Sequence, residues 1–303
     1  MVKNSAFNRV AQQTKPILGI LIVISLLINI GMLVQPFFFM NMSFSVIMPR
    51  DGDALSFLIG ILVFVFAMIF ILDMIRHRLL NRITILFESS LVPDIHYAMI
   101  NYTTNNPGAT LTQPMSFLEQ IRMFISGGRA VGFLDLPFLP LYLIVIFMLD
   151  PLFLVYTLLA ILLVSILTII DHIHTDRALK AFSDANGEAY KHLNSHMLAA
   201  ESVLVMGMKK RLYHRWLGLF FQGLIHQNHQ LLDHAKISNL SKVIRHLTPM
   251  GMMGIGAYIS LNPSLTGEPV SIFVVMAGSI LMGRVIGIAD MSISGWKMML
   301  MAW

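Results

Sequence analysis

Between Lys15 and Arg50 the chain reads PILGILIVISLLINIGMLVQPFFFMNMSFSVIMP (residues 16–49), 34 residues without a charge. A helix needs about 20 apolar residues to cross the hydrocarbon layer of a membrane. The run is too long for a signal peptide, no small-x-small cleavage site follows it before Pro36, and a second apolar run comes at once. It therefore reads as a retained membrane span.

Working outward, five more stretches of this kind follow. The chain is free of charge from Ala54 to Leu72, from Leu136 to Leu149, from Pro151 to Ile170 and from His246 to Gly267. A last apolar stretch from Pro269 is interrupted by Arg284. The reading is six spans in three hairpins, at about 17–40, 55–73, 131–149, 152–170, 244–261 and 270–289. Residues 1–15 form an N-terminal tail.

Composition agrees. Charged residues make up 12% of the 303 and mean hydropathy is +0.73, against about 25% charged in soluble domains. An ordinary soluble enzyme is excluded, and so is a disordered chain, which needs low hydrophobicity and high charge. There is no Cys, hence no disulfide framework, thiolate metal site or cysteine nucleophile.

Orientation follows from Lys and Arg. Of the 21 basic residues, 18 lie in the N-terminal tail and in segments 74–129 and 171–245. The short connections at 41–53, 150–151 and 262–269 hold only Arg50. An excess of basic residues marks the cytoplasmic side, so both termini and both long segments are expected in the cytoplasm.

Those long segments have helical composition, and Pro93 is a kink candidate within the first. Spans two to five are expected to continue as long helices, making two cytoplasmic helical hairpins. Their tips fall at Asn105-Asn106-Pro107-Gly108 and at Met206-Gly207-Met208, where helix breakers cluster. The basic run Lys209-Lys210-Arg211 follows the second tip. An isolated bend would simply be solvated; two tips on two long hairpins point to a docking surface. Three charges are too few for nucleic acid.

Several motifs resemble the membrane domain of ABC exporters of the type I protein secretion family, the permease/ATPases that export metalloproteases and lipases. Leu134-Asp135-Leu136-Pro137-Phe138-Leu139-Pro140 is similar to that family's Asp-Leu-Pro-aromatic element opening the third span. Ala200-Glu201-Ser202-Val203-Leu204-Val205-Met206-Gly207-Met208 resembles its Ala-Glu-x-x-x-x-Met-Gly-Met element. Ser279-Ile280-Leu281-Met282-Gly283-Arg284 resembles an element of its sixth span, and Gly295-Trp296-Lys297 its exit from that span. The likeness runs through 16–303. One departure is Ser43 to Pro49, which lacks the acid–base pair of the family's Tyr-Asp-Arg-Val-like element.

The resemblance implies an all-α exporter domain that works as a homodimer or heterodimer in a bacterial inner membrane. It implies a nucleotide-binding ATPase partner, a periplasmic adaptor, an outer-membrane duct and an unfolded protein cargo with a C-terminal signal. Asn106, Pro107, Gly108 and the turn carrying Glu201, Met206, Gly207, Met208, Lys209 and Lys210 would be the coupling elements that dock on the ATPase. ATP and Mg²⁺ belong on a nucleotide-binding domain. These 303 residues contain no G-x-x-x-x-G-K-[ST] and no Gly-Lys dipeptide, so no catalytic residue and no cofactor is assigned here. The expectation is an ATPase on a separate chain, or a truncated or interrupted gene product. The rival readings are a regulatory, non-transporting paralogue and a small-molecule or lipid exporter.

His192 and His196 stand four apart on one helical face, but no H-E-x-x-H pattern accompanies them, and no metal site is assigned. The 23 Met residues read as flexible apolar packing, and the glycines from Gly251 to Gly256 as close helix packing. Intramembrane charge is the stronger signal, because burying it is costly. Asp135 lies 14 residues in from Leu149, and Arg284 14 residues in from Val270. At 1.5 Å per residue both sit about 21 Å below the outer surface. Equal depth allows an ion pair, within a subunit or across a dimer; the alternative is that each reaches separately to the nearby cytoplasmic interface.

Overall fold

The computed structural model describes residues 3–105, 113–126, 128–261 and 271–301, and these are helical almost throughout, with no strand. In order they are α1 (Lys3–Met32), α2 (Val34–Asn41), a π-helical turn (Met42–Ile47), α3 (Gly52–Asn105) and α4 (Gln113–Ser126). Then come α5 (Arg129–Asp135), a 3₁₀ turn (Leu136–Phe138), α6 (Leu139–Leu149), α7 (Pro151–Leu198), α8 (Ala200–Val205), α9 (Lys209–Leu261) and α10 (Ile272–Met301). Five helical stretches among the described residues are long and apolar enough to cross a membrane: Thr14–Ile47, Gly52–Asn105, Ala130–Leu149, Pro151–Asp171 and Ile272–Ile293. The chain is an all-α membrane protein.

The expected fifth span, 244–261, is helical as the end of α9 but is not among those five. Arg245 and His246 near its start, with Thr248, Pro249 and three glycines, lower its apolarity. Two of these glycines serve packing: a Cβ on Gly251 would run into the Tyr156 hydroxyl, and one on Gly256 into Val275.

Long continuous helices follow spans two and four and precede span five. α3 has 54 residues, α7 has 48 and α9 has 53. Pro93 lies inside α3 and Pro249 inside α9. Span three departs from the expectation of one long helix. Gly128, at φ +78°, separates α4 from α5. Pro137 and Pro140 lack an N–H, and their rings crowd the carbonyls four residues back, so the helix tightens into 3₁₀ at Leu136–Phe138.

The chain divides into two compact units. The first comprises 1–165 and 247–303. Its apolar core includes Leu21, Leu80, Ile83 and Val131 in one cluster and Ile24, Ile28 and Ile69 in another. Burying a Leu or Ile side chain is worth about 1.5–3 kcal/mol. Here that is an upper figure for the lipid-facing elements, since lipid is as apolar as Leu. Small residues set close approaches. A Cβ on Gly31 would stand 3.0 Å from Ile69, and one on Gly132 2.7 Å from the Met291 Cβ. Beside the latter, the Ser292 hydroxyl donates to the Gly132 carbonyl at 3.0 Å, sharing its proton with the Ile288 carbonyl at 2.8 Å. The second unit, 166–246, holds the cytoplasmic-type part of α7, all of α8 and most of α9.

Candidate functional site

In the first unit, the polar residues of the spans converge on one carboxylate. Asp135 closes α5 and is 3% exposed. Its Oδ1 accepts from Asn29 Nδ2 on α1 at 2.9 Å and from Arg76 Nη1 on α3 at 3.1 Å. Its Oδ2 lies 3.6 Å from Arg284 Nη2 on α10. The two residues singled out by depth are thus neighbours, at ion-pair rather than hydrogen-bond distance.

Asn29 is fully used. Its two N–H groups serve Asp135 Oδ1 and the Ser25 carbonyl at 2.8 Å, and its Oδ1 accepts from the Tyr142 hydroxyl on α6 at 2.8 Å. Arg76 is equally committed. Its Nε and Nη2 both donate to Asp73 one turn earlier, the Nε at 3.0 Å. Asp73, Arg76, Asp135 and Arg284 sum to zero charge, as burial demands.

Arg284 is the loose member. Its side chain keeps 33% of its surface exposed, it approaches the Tyr142 hydroxyl, and its buried Nε has no hydrogen-bond partner. Arg76, Asp73, Asn29 and Tyr142 were not foreseen as partners. The signals were a lone Asn in an uncharged run and an Asp-x-x-Arg pair where the second run ends.

In the second unit, the second tip is a capped turn. The Met208 N–H reaches the Val203 carbonyl at 3.2 Å and the Gly207 N–H the Leu204 carbonyl at 3.2 Å. This is a Schellman ending with Gly207 in the left-handed position, φ +64°. Glu201 lies in the first turn of α8, where an acid suits the helix dipole. Lys209, Lys210 and Arg211 open α9, where positive charge opposes it. Leu204, Val205 and Met206 point outward, Val205 at 89% exposure. Beside them is a groove of about 690 Å³ whose lining includes Leu193, Met197, Val203, Trp216, Lys209 and Lys210. The rings of His192 and His196 stand 5.6 Å apart nearby in sequence. Asn106, Pro107 and Gly108, the first expected tip, lie outside the described residues.

The glycines from Gly251 to Gly256 belong to a continuous helix and not to a loop. Gly251 and Gly256 meet side chains where a Cβ would stand, and Gly128 is the N-cap of α5. A phosphate cradle needs a loop of free N–H groups followed by Lys.

Long apolar helices, brief turns between some of them, and a capped turn with an apolar tip agree with the membrane domain of an ABC transporter. The family model for the ABC transporter transmembrane region matches residues 18–285; the chain belongs to that family. Over 285 residues, 91% of the chain, it is 27% identical to the type I secretion system ATP-binding protein PrsD of Rhizobium meliloti (strain 1021). It spans about half, 47%, of that relative's length.

Proposed function

We propose that this chain is the membrane-spanning part of a type I protein exporter, forming the path through a bacterial inner membrane and coupling it to ATP hydrolysis on a nucleotide-binding domain. The observation that carries the coupling half is the Ala200–Lys210 turn. It holds Leu204, Val205 and Met206 out of its own core and places Lys209 and Lys210 where they oppose the α9 dipole. Each such charge costs about 0.3–1 kcal/mol, so helix stability does not account for them. An apolar tip with a basic rim suits a partner surface with an apolar slot and acidic edges. Likeness to PrsD supports the secretion half.

In this reading both termini and the turn are cytoplasmic, segment 244–261 completes a set of six spans, and two copies surround the cargo path. An unfolded protein with a C-terminal signal is the cargo, and an adaptor and outer-membrane duct continue the route. The test is purification of the tagged full-length gene product from its native membrane, with intact-mass analysis of what accompanies it. ATPase sequence in equal stoichiometry, in the same polypeptide or a second one, is the expected result. A product with neither ATPase nor adaptor would assign the chain to a non-transporting role.

A further inference from the structure

Helix α10 exposes a face unlike that of the other spans. On α3 the outward residues are large and apolar, among them Phe57, Phe64 and Phe70, all more than half exposed. That is what lipid requires. On α10 between 280 and 291 the exposed positions are Gly283, Gly287 and Met291, with Ile280 and Arg284 half-covered beside them. Gly287 has no heavy atom of another element within 4 Å of where a Cβ would stand, and Gly283 has only a Pro249 carbon at 3.8 Å. The two glycines leave a shallow channel on either side of a guanidinium inside an apolar stretch, Ile272–Ile293. A charge there is costly against hydrocarbon, so this face meets water or polar groups.

The guanidinium is also partly exposed. Asp135 is satisfied on Oδ1 by Asn29 and Arg76, and Arg284 reaches only its second oxygen, at 3.6 Å. The Arg284 Nε is buried without a hydrogen-bond partner, while the side chain as a whole keeps 33% of its surface exposed. Asp73, bonded to Nε and Nη2 of Arg76, balances that arginine, and Arg284 is the cation of this neutral set that keeps exposed surface, 33% against 6% for Arg76. A guanidinium that is one-third exposed on this face, with its nearest acid already held by two other donors, matches a carboxylate.

We infer that Arg284 is a carboxylate-binding residue on the transport path, contacting Asp, Glu or terminal carboxylates of the passing cargo chain. This rests on the exporter reading above. Arg76 and Asn29 keep Asp135 paired while Arg284 turns to the cargo, so engagement leaves no buried carboxylate uncompensated.

The test uses the full-length gene product in nanodiscs. The probes are a fluorescein-labelled, unstructured Gly/Ser-rich peptide carrying several Asp residues, and the same peptide with Asn in their place. Fluorescence anisotropy should show the acidic peptide binding about tenfold more tightly, the scale of one charged hydrogen-bond pair. Arg284→Gln should abolish that preference, and Arg284→Lys should retain part of it. Thermal unfolding of each variant checks that the fold persists. Equal binding of the two peptides to wild type, or a preference that survives in R284Q, overturns the assignment and leaves the exporter reading standing. A dimer that dissociates in R284Q with peptide binding unchanged assigns the face to a second copy and also overturns it. Binding of neither peptide counts against both.

Discussion

Replacing Asp135 by Asn keeps the shape of the side chain and removes its charge, so it isolates the electrostatic role of the buried cluster. In wild type the carboxylate faces Arg76 at 3.1 Å and Arg284 at 3.6 Å. At an effective dielectric of about 20, Coulomb's law gives about 5 kcal/mol at either separation; distance alone does not rank the two arginines. Burial and hydrogen bonding do. The Arg76 side chain is 6% exposed and donates directly, whereas Arg284 is 33% exposed and beyond hydrogen-bond range. Removing one partner of a buried pair costs about 3–5 kcal/mol. Asp73 still neutralises part of Arg76, which brings the expected loss for Asp135→Asn to the lower end, about 3 kcal/mol. The assay is equilibrium unfolding in mixed micelles, followed by circular dichroism, for Asp135→Asn, Arg76→Gln, Arg284→Gln and the two double variants that contain Asp135→Asn. The coupling between 135 and 76 should be about 2 kcal/mol, and that between 135 and 284 below about 1 kcal/mol. A 135–284 coupling equal to or larger than the 135–76 coupling would refute the ranking. Additivity within about 0.5 kcal/mol for both pairs would refute the cluster as an energetic unit.

Three other outcomes are expected. Gly132→Ala sets a Cβ 2.7 Å from the Met291 Cβ and should cost about 1–3 kcal/mol by overpacking, read in the same unfolding assay; Gly287→Ala, which meets nothing, should cost far less. Gly207→Val forces a β-branched residue to φ +64° at a cost of about 1–3 kcal/mol, while Gly207→Asn should be mild; limited proteolysis at the turn measures both. Val205→Asp changes a residue 89% exposed, so thermal stability should stay within about 0.5 kcal/mol while ATPase activity coupled to the membrane domain falls at least severalfold.

The spans were legible because charge is excluded from them for a reason that acts locally. A gap between Lys15 and Arg50 needs no tertiary information to be read as a helix in lipid. The second tip was legible on the same terms: Gly207 is the residue that a left-handed turn requires. Span three was harder. Pro137 and Pro140 announce a break, but Pro93 and Pro249 lie within continuous helices, so a proline does not by itself decide between a kink and a stop. Segment 244–261 was legible as helix, but Arg245, His246 and its glycines lower its apolarity below that of the other spans.

In the charge cluster, counting residues from the outer surface placed Asp135 and Arg284 at one level. The same ruler, started at Leu55, puts Arg76 21 residues in, seven deeper than Asp135. It assumes untilted helices and ignores the reach of an arginine, and so it missed the stronger partner. Asn29 and Tyr142 carry no charge, and nothing in the sequence says that their polar ends meet; only packing brings α1 and α6 together there.

The order of synthesis bears on how these charges enter the bilayer. Arg76 emerges first and finds Asp73 already on its own helix, one turn away, so that segment meets the insertion machinery with its cation matched. Asp135 emerges 59 residues after Arg76 and meets a counter-ion already in place. Arg284 arrives last, when the carboxylate is already taken up by Arg76 and Asn29. Biogenesis thus matches each acid or base with little delay until the final helix, whose arginine joins a nearly completed set. Asp73→Asn should therefore delay the insertion of the first hairpin in a cell-free translation system with membranes, where Arg284→Gln should leave it unchanged.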